Sequence, residues 1–450
     1  MLRRNQNIHF VGIGGAGMSG IAELLINLGY NVSGSDLRET DVTEHLKAIG
    51  AKIYIGHDSK NLKSIEIVVV SSAIDKDNPE VTTALNKKIT LISRVEMLAE
   101  LAKSKYTITV SGTHGKTTTT SLTSLILDAG GFNPTIVIGG KLKNFKSGAK
   151  LGNGNYIVVE ADESDGSFLK LSPTIAIVTN IDDDHLDYYG DMENLKKAFI
   201  NHINRIPFYG TAIICLDDEN VRNIIPKISK KYISYGIVSK ADINASNIKI
   251  TKNYTSFDVT YIGKRIGNVC IKIPGEHNIL NSLAAIGAGL CLGMPFNLIV
   301  KAINEFDGVN RRLEIKGEKK GVMVIDDYAH HPAEIMATLK AIKYFWSKRR
   351  IIVLFQPHRY TRTKQLFNKF GKSFLYADLV KVLDIYAAGE QKINGVTSDL
   401  IIKCLIKNKC KAEKFLGINT ILKNIFPGDI ILTLGAGDVW QKGEELLALI

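Results

Sequence analysis

Short apolar runs rich in Ile and Val alternate along the chain with stretches whose apolar residues recur every three to four positions. Many of the runs stop at glycine, acidic or hydroxyl residues. This alternation predicts strands followed by helices, and hence α/β domains built on parallel sheets. Near the start, Ile8-His9-Phe10-Val11 reads as a strand and Gly12-Ile13-Gly14-Gly15-Ala16-Gly17 as a glycine turn. A helix follows through Ile21, Leu24, Leu25 and Leu28, and Gly29 ends it. Asn31–Ser33 is a second strand leading to Ser35-Asp36, Lys52–Ile55 a third ending at Gly56-His57, and Ile65–Val70 a fourth ending at Ser71-Ser72-Ala73. The amphipathic stretch Arg94–Ala102 reads as a helical linker.

A second region opens with the apolar run Tyr106–Val110, a turn from Gly112 to Gly115, and a helical pattern from Lys116-Thr117 through Leu122, Leu125 and Ile126. Asn155–Val159 runs into Glu160-Ala161-Asp162-Glu163, and Ile175–Thr179 into Asn180-Ile181-Asp182-Asp183-Asp184-His185. Residues Asn247–Ile273 alternate apolar and polar around Gly263-Lys264-Arg265, predicting an antiparallel edge. Pro274-Gly275-Glu276-His277-Asn278 then opens an Ala-rich helix that carries Asn281 and runs to Leu292. In a third region Val322–Ile325 runs into Asp326-Asp327-Tyr328-Ala329-His330-His331-Pro332, Ile351–Phe355 into Gln356-Pro357-His358-Arg359-Tyr360-Thr361-Arg362, and Ile430–Leu434 into Gly435-Ala436-Gly437-Asp438. The expected domains are residues 1–98, 99–312 and 313–450.

Composition supports this picture. With 450 residues, the chain exceeds what one core supports. Hydrophobic residues at 45% and charged residues at 23% are those of a soluble globular protein. The formal charge of +12 raises nucleic acid as a partner, but the lysines are scattered and no basic stripe is interleaved with aromatics. Neither nucleic acid nor membrane is expected. The five cysteines show no ligand spacing and read as free thiols, and no apolar run reaches spanning length, so a cytoplasmic protein is expected.

The chemistry concentrates at strand ends. Strand, glycine turn and helix start make a phosphate cradle in Gly112-Thr113-His114-Gly115-Lys116-Thr117-Thr118. Backbone N–H groups face the anion, Lys116 supplies a cation, and the Thr117 hydroxyl suits Mg²⁺. The motif is a variant, because Val110 stands where the general pattern has its first glycine. A nucleoside triphosphate is the ligand expected. Glu160, at a strand tip beside this loop, is the candidate Mg²⁺ carboxylate, and His185 is a candidate for a second ion although imidazole is an unusual Mg²⁺ ligand. Asp182, Asp183 and Asp184 read as a solvated loop. Gly12 to Gly17 with Asp36 fits a dinucleotide-fold fingerprint, and His57, Ser71 and Ser72 lie where such a sheet meets its ligand. Asn278 and Asn281 are placed to cap a helix or to meet an adenine edge. Arg359 and Arg362 suit a carboxylate or phosphate.

Taken together, Gly112–Thr119, Glu160–Ser164, Thr179–His185, Gly275–Asn281 and Asp326–Pro332 resemble the motifs of the Mur ligases, ATP-dependent amide-forming enzymes of peptidoglycan synthesis. Within that family Gly12–Ser19, Ser33–Asp36 and Gln356–Arg362 resemble the branch that adds L-alanine to UDP-N-acetylmuramate. The resemblance implies three α/β domains: an N-terminal Rossmann-like domain, a central P-loop ATPase with a mostly parallel sheet and an antiparallel edge, and a C-terminal Rossmann-like domain. It implies UDP binding through Gly14, Gly15, Gly17, Asp36, His57, Ser71 and Ser72. It implies ATP and Mg²⁺ held by the phosphate loop, Glu160 and His185, adenine at Asn278 and Asn281, the terminal phosphate at Arg311, and a nucleotide-positioning Asp327. Tyr328, His330, His358, Arg359 and Arg362 would receive L-alanine. The small-molecule partners are then UDP-N-acetylmuramate and L-alanine, on a monomer or homodimer. Sister ligases carry a carbamylated lysine, but Lys196 and Lys197 do not fall clearly in register and stay outside the site. Rival readings are a recycling ligase that joins a preformed tripeptide to the same muramate, a nicotinamide dehydrogenase and a non-catalytic nucleotide switch.

Overall fold

The computed structural model describes residues 6–71, 73–139, 148–251 and 254–450, which form three sheets flanked by helices. The chain packs as two compact units, one of Met1–Ser246, Asp258–Gly267 and Leu280–Phe306, the other of Asn247–Phe257, Asn268–Ile279 and Asp307–Ile450.

The first sheet is five-stranded, in the order Lys52–Ile55, Asn31–Asp36, Asn7–Val11, Ile67–Val70, Thr90–Ser93, with every pair parallel. The chain starts in the middle of the sheet, builds outward on one side and then crosses to the other. That is the doubly wound order, and its reversal point lies beside the end of Asn7–Val11, where the glycine turn is. The second strand continues through Gly34 and Ser35 to Asp36, three residues beyond Ser33. Gly34 permits this: Ile13 of the glycine turn lies where a side chain would stand. The edge strand Thr90–Ser93 carried no sequence signal, being four residues long and half-exposed. The helix Arg94–Ala102 starts at Ser93 through a capping box with Glu96, so a domain boundary after residue 98 falls inside a helix.

The second sheet has ten strands, in the order Lys264–Ile271, Thr255–Tyr261, Ile243–Ile250, Tyr232–Gly236, Thr211–Cys215, Ile175–Val178, Tyr106–Ser111, Tyr156–Glu160, Thr135–Val137, Ala149–Lys150. From Ile243–Ile250 to Thr135–Val137 the pairs are parallel, and Ala149–Lys150 is antiparallel. The hairpin turns at Ile262 and Gly263, both at positive φ, while Lys264 and Arg265 already belong to the next strand. The turn therefore sits one residue earlier than the glycine-lysine-arginine cluster suggests, because a two-residue hairpin needs two positive-φ positions. One apolar cluster joins the first two sheets, from Ile8 and Phe10 to Val159 and Val178.

The third sheet runs Glu314–Lys319, Val322–Asp327, Ile430–Leu434, Ile351–Phe355, Leu379–Val382, Ala412–Lys414, parallel except for the first pair. Its central strands are buried on both faces. Ile325, Val353 and Leu432 pack on one side and Val324, Ile352 and Ile431 on the other, which is why they read as unbroken apolar runs. The strand Val322–Asp327 includes both aspartates at its end, and both are buried. Among the described residues, no helix is long and apolar enough to cross a membrane.

Gly34→Ala tests the seating of the glycine turn. A Cβ there would lie 2.6 Å from Ile13 and 2.8 Å from the Phe10 carbonyl oxygen. The variant is expected to lose about 1–3 kcal/mol in denaturant unfolding, the usual cost of overpacking, and an unchanged midpoint would refute the close approach.

Candidate active site

The phosphate loop sits between the strand Tyr106–Ser111 and the helix Lys116–Ala129. Gly115 caps that helix in the left-handed region (φ 81°) with no side-chain cap, leaving the first N–H groups for an anion. A side chain at Gly115 would meet Asn281 Oδ1 at 2.5 Å. Gly112 (φ 132°) presses on Thr179 and the Asn180 backbone, with no room for a Cβ. The loop after Ile175–Val178 clamps it from that side. Thr179 Oγ1 donates to the His114 carbonyl (2.6 Å), Asn180 Oδ1 accepts from His114 N–H (2.8 Å), and Asp182 N–H donates to Thr113 Oγ1 (2.9 Å). His114 Nε2 lies 2.9 Å from Asp182 Oδ2. Asp182 is therefore part of the loop's frame rather than a solvated residue.

Lys116 is enclosed. Its Nζ donates to the Gly112 carbonyl (2.7 Å) and to Glu163 (2.9 Å), with Glu163 only 1% exposed. Burial alone would lower the ammonium pKa, but Glu163, Asp162 and Glu160 together outweigh it and raise it. Burial, opposed by Lys116, holds the Glu163 carboxyl above the usual carboxylate range. Beside this pair, Thr117 Oγ1 donates to Glu160 Oε1 (2.9 Å), and Gly139 N–H donates to Glu160 Oε2 (2.8 Å). Thr117 and Glu160 thus converge as an all-oxygen pair at the helix start. His185 adopts the left-handed region (φ 60°), lies 3.7 Å from Asp184, and offsets a small part of the burial-driven rise at Glu163. Asn281 Oδ1 accepts from Thr119 Oγ1 (3.1 Å), so it packs on the loop's own helix.

In the first sheet, Asp36 closes the glycine turn. Its Oδ2 accepts from Gly14 N–H at 2.9 Å, and a Cβ at Gly14 would crowd the same oxygen. The backbone at Gly15 is less crowded, a Cβ there lying 3.3 Å from the Gly12 carbonyl oxygen. Arg94 lies against Gly17, where any side chain would overlap its guanidinium, and its charge reaches Asp162. His57 Nδ1 faces inward, 3.0 Å from Glu80 Oε2. The Ser71 carbonyl accepts from Ile74 N–H (3.2 Å), while Ser72 lies outside the described residues.

The second unit carries its own cluster. Arg311, at φ 61°, donates to Asp326 (3.1 Å) and to the Gly435 carbonyl (2.6 Å), tying two strand ends together. Its guanidinium stands 4.9 Å from the Tyr328 ring centre. The rings of Tyr328 and His330, and of His330 and His358, pack edge to face at 5.5 and 5.7 Å. His358 stacks on Tyr386, and Arg362 lies 3.4 Å from its Nδ1. Arg359, at φ 69°, caps the following helix, its N–H donating to the Tyr386 carbonyl (2.9 Å). Both Asp327 oxygens accept backbone N–H groups, from Leu313 (2.7 Å) and Ala329 (2.8 Å), and burial pushes its carboxyl up to about 6. Asn278 donates to the Pro274 carbonyl (2.7 Å). The residues that sequence pattern passed over are Arg94, Asp162, Glu163, Glu80 and Tyr386. Arg94 had a signal, a cation just after the Ser93 helix cap, but nothing in the pattern linked it to Gly17.

Burial, with His330, Arg362, Arg359 and Arg311 nearby, lowers the His358 pKa from an ordinary 6.5 to about 3. The folded state therefore binds this proton more weakly than the unfolded chain. Stability is present above 6.5 and is lost as pH falls from there towards about 3. The wild type should lose melting temperature faster than His358→Gln across that window. Equal slopes would contradict a neutral, cation-flanked imidazole.

Comparison with known proteins identifies the family. The profile of the Mur ligase family, catalytic domain, matches residues 7–106, that of the Mur ligase middle domain residues 110–289, and that of the Mur ligase, glutamate ligase domain, residues 311–437. The chain is 69% identical to the UDP-N-acetylmuramate–L-alanine ligase of Endomicrobium trichonymphae over 100% of both chains, and 51% identical to that of Trichlorobacter lovleyi over 98% of each. The crystal structure of the UDP-N-acetylmuramate-alanine ligase MurC of Thermotoga maritima superposes with a TM-score of 0.85 at 30% identity, covering 99% of each chain. With a phosphate loop framed by acidic strand ends, and three family profiles spanning the three sheets, the chain belongs to the Mur ligase family.

Proposed function

We propose that the chain joins L-alanine to the lactyl carboxylate of UDP-N-acetylmuramate, using ATP, as a cytoplasmic step of peptidoglycan precursor synthesis. One observation carries the reading. A phosphate loop that sets Lys116 against Glu163 and Thr117 against Glu160 stands in a chain 69% identical, end to end, to a UDP-N-acetylmuramate–L-alanine ligase.

A carboxylate does not condense with an ammonium in water, so the carboxylate must be activated. Its oxygen attacks the γ-phosphorus of ATP, the bond to the bridging oxygen breaks, and ADP leaves with that electron pair. The resulting acyl phosphate is attacked by the neutral amine of L-alanine, and a tetrahedral intermediate then expels inorganic phosphate. Charge grows on the transferring phosphoryl group, where Lys116 Nζ and the N–H groups at the helix start, from Gly115 to Thr118, act as fixed counter-charges. An arriving triphosphate competes with Glu163 for Lys116, and the enclosure of that pair strengthens whichever partner it keeps.

Thr117 Oγ1 and Glu160 offer the oxygen donors that Mg²⁺ prefers, and the ion, when bound, would neutralise phosphate oxygens there. For His185 the role at a second ion rests on the resemblance, since imidazole is a softer ligand than Mg²⁺ favours. The first domain takes the UDP end through Gly14, Gly15, Gly17 and Asp36, with Arg94 a cation against the turn. Asn278, Asn281, Arg311 and Asp327 serve the nucleotide, and Tyr328, His330, His358, Arg359 and Arg362 the alanine carboxylate and amine. The domain limits 1–98, 99–312 and 313–450 belong to this same reading.

Phosphate release from ATP with UDP-N-acetylmuramate, adding each amino acid in turn, tests the assignment. L-Alanine should give the largest rate, and Lys116→Ala should lower it at least about a hundredfold, as loss of a transition-state donor does. A preformed tripeptide outperforming L-alanine would reassign the acceptor. Near-normal ligation by the Lys116 variant would remove that residue from the mechanism.

A further inference from the structure

The glycine turn, Asp36 and His57 lie at the carboxyl ends of three neighbouring strands, Asn7–Val11, Asn31–Asp36 and Lys52–Ile55. Directly beneath His57 is a carboxylate that no step above uses. Glu80, on the helix Pro79–Asn86, is fully buried, yet it is not neutralised. Burial raises its pKa, but the nearby His9 ring and the hydrogen bonds from Ser35 and Asn61 bring it down to about 2.

The hydrogen bonds around it constrain the proton on the His57 nitrogen that faces it. Glu80 Oε1 accepts from Asn61 Nδ2 (2.7 Å) and lies 3.3 Å from His9 Nε2. Oε2 accepts from Ser35 Oγ (2.5 Å) and lies 3.0 Å from His57 Nδ1. His57 Nδ1 is also 2.9 Å from Ser35 Oγ. The single hydroxyl hydrogen of Ser35 is committed to the carboxylate, and an ionised carboxylate only accepts. Nδ1 of His57 must then carry a hydrogen, shared between Oε2 and Oγ. A neutral imidazole with Nδ1–H has its lone pair on Nε2, on the far side of a ring that is 13% exposed.

We propose that Glu80 is a positioning residue of the uridine-nucleotide site, fixing His57 as the Nδ1–H tautomer so that Nε2 accepts a hydrogen bond from the nucleoside. The chemistry it selects is a donor, a ribose hydroxyl or the uracil imide N–H, rather than a phosphate oxygen. This rests on the first domain holding the UDP-linked substrate. Gly56, at φ 89°, turns the chain so that its N–H bonds the Asp36 carbonyl (2.8 Å), which brings His57 next to the end of the Asp36 strand.

The test uses the full chain, with ¹⁵N-labelled histidine and calorimetric titration of UDP and of ATP. In the wild type His57 should show the Nδ1–H tautomer. Glu80→Ala should move it towards Nε2–H and weaken UDP binding roughly three- to tenfold, the scale of one hydrogen bond between uncharged groups. ATP affinity should stay within about twofold, since the phosphate loop lies on another sheet. UDP affinity unchanged in Glu80→Ala, or a wild-type His57 in the Nε2–H form or protonated on both nitrogens, overturns the proposal. Should Glu80→Ala fail to fold, the wild-type tautomer alone decides. A wild type that binds ATP but neither UDP nor UDP-N-acetylmuramate would instead overturn the substrate reading.

Discussion

The pressing of Gly112 onto Thr179 and Asn180 is the contact on which the candidate active site depends. Parallel strands Tyr106–Ser111 and Ile175–Val178 are hydrogen-bonded neighbours, so the loops that leave their ends must share one small space. Only a residue without a Cβ fits there, and only glycine takes its backbone angle at low cost. Given that approach, the loop after Val178 supplies the hydrogen bonds that hold Thr113 and His114 in place. The frame leaves the first N–H groups of the next helix without a side-chain cap, and donors already held in place stabilise charge without reorganising.

Around that frame the molecule gathers buried charge. Lys116 shares its enclosure with Glu163, Asp162 and Glu160, an arrangement that favours the ionised lysine despite the loss of water. An ammonium in such a place costs a great deal if left alone, so its partners are as much a part of the site as the lysine itself. The same rule governs the first domain, where the Glu80 carboxylate survives burial because its oxygens face Ser35, Asn61 and two histidines. It governs the third as well, where Arg311 bridges Asp326 and the Gly435 carbonyl. Each sheet ends in a charge that only its neighbours make tolerable.

Much of this was legible along the chain because local physics wrote it there. Strands buried on both faces, such as Ile351–Phe355 and Ile430–Leu434, read as unbroken apolar runs and fall where the pattern put them. Short edge strands did not, since Thr90–Ser93 and Ala149–Lys150 are too brief to show a period. The acidic run after Glu160 is visible in sequence, yet its two useful members differ in a way spacing does not reveal. Glu160 takes the Thr117 hydroxyl, while Glu163 takes the lysine.

The sequence by itself determined the α/β alternation, the phosphate loop and the family, because periodicity, glycine placement and strand-end chemistry are local properties of the chain. Tertiary structure alone decided the partners. Asp182 against His114, Arg94 against Gly17, and Glu80 beneath His57 join residues 68, 77 and 23 positions apart. Such contacts depend on strand order and helix packing, which no local pattern encodes, and it is they that give the residues the motifs had named their hydrogen-bonding and charged neighbours.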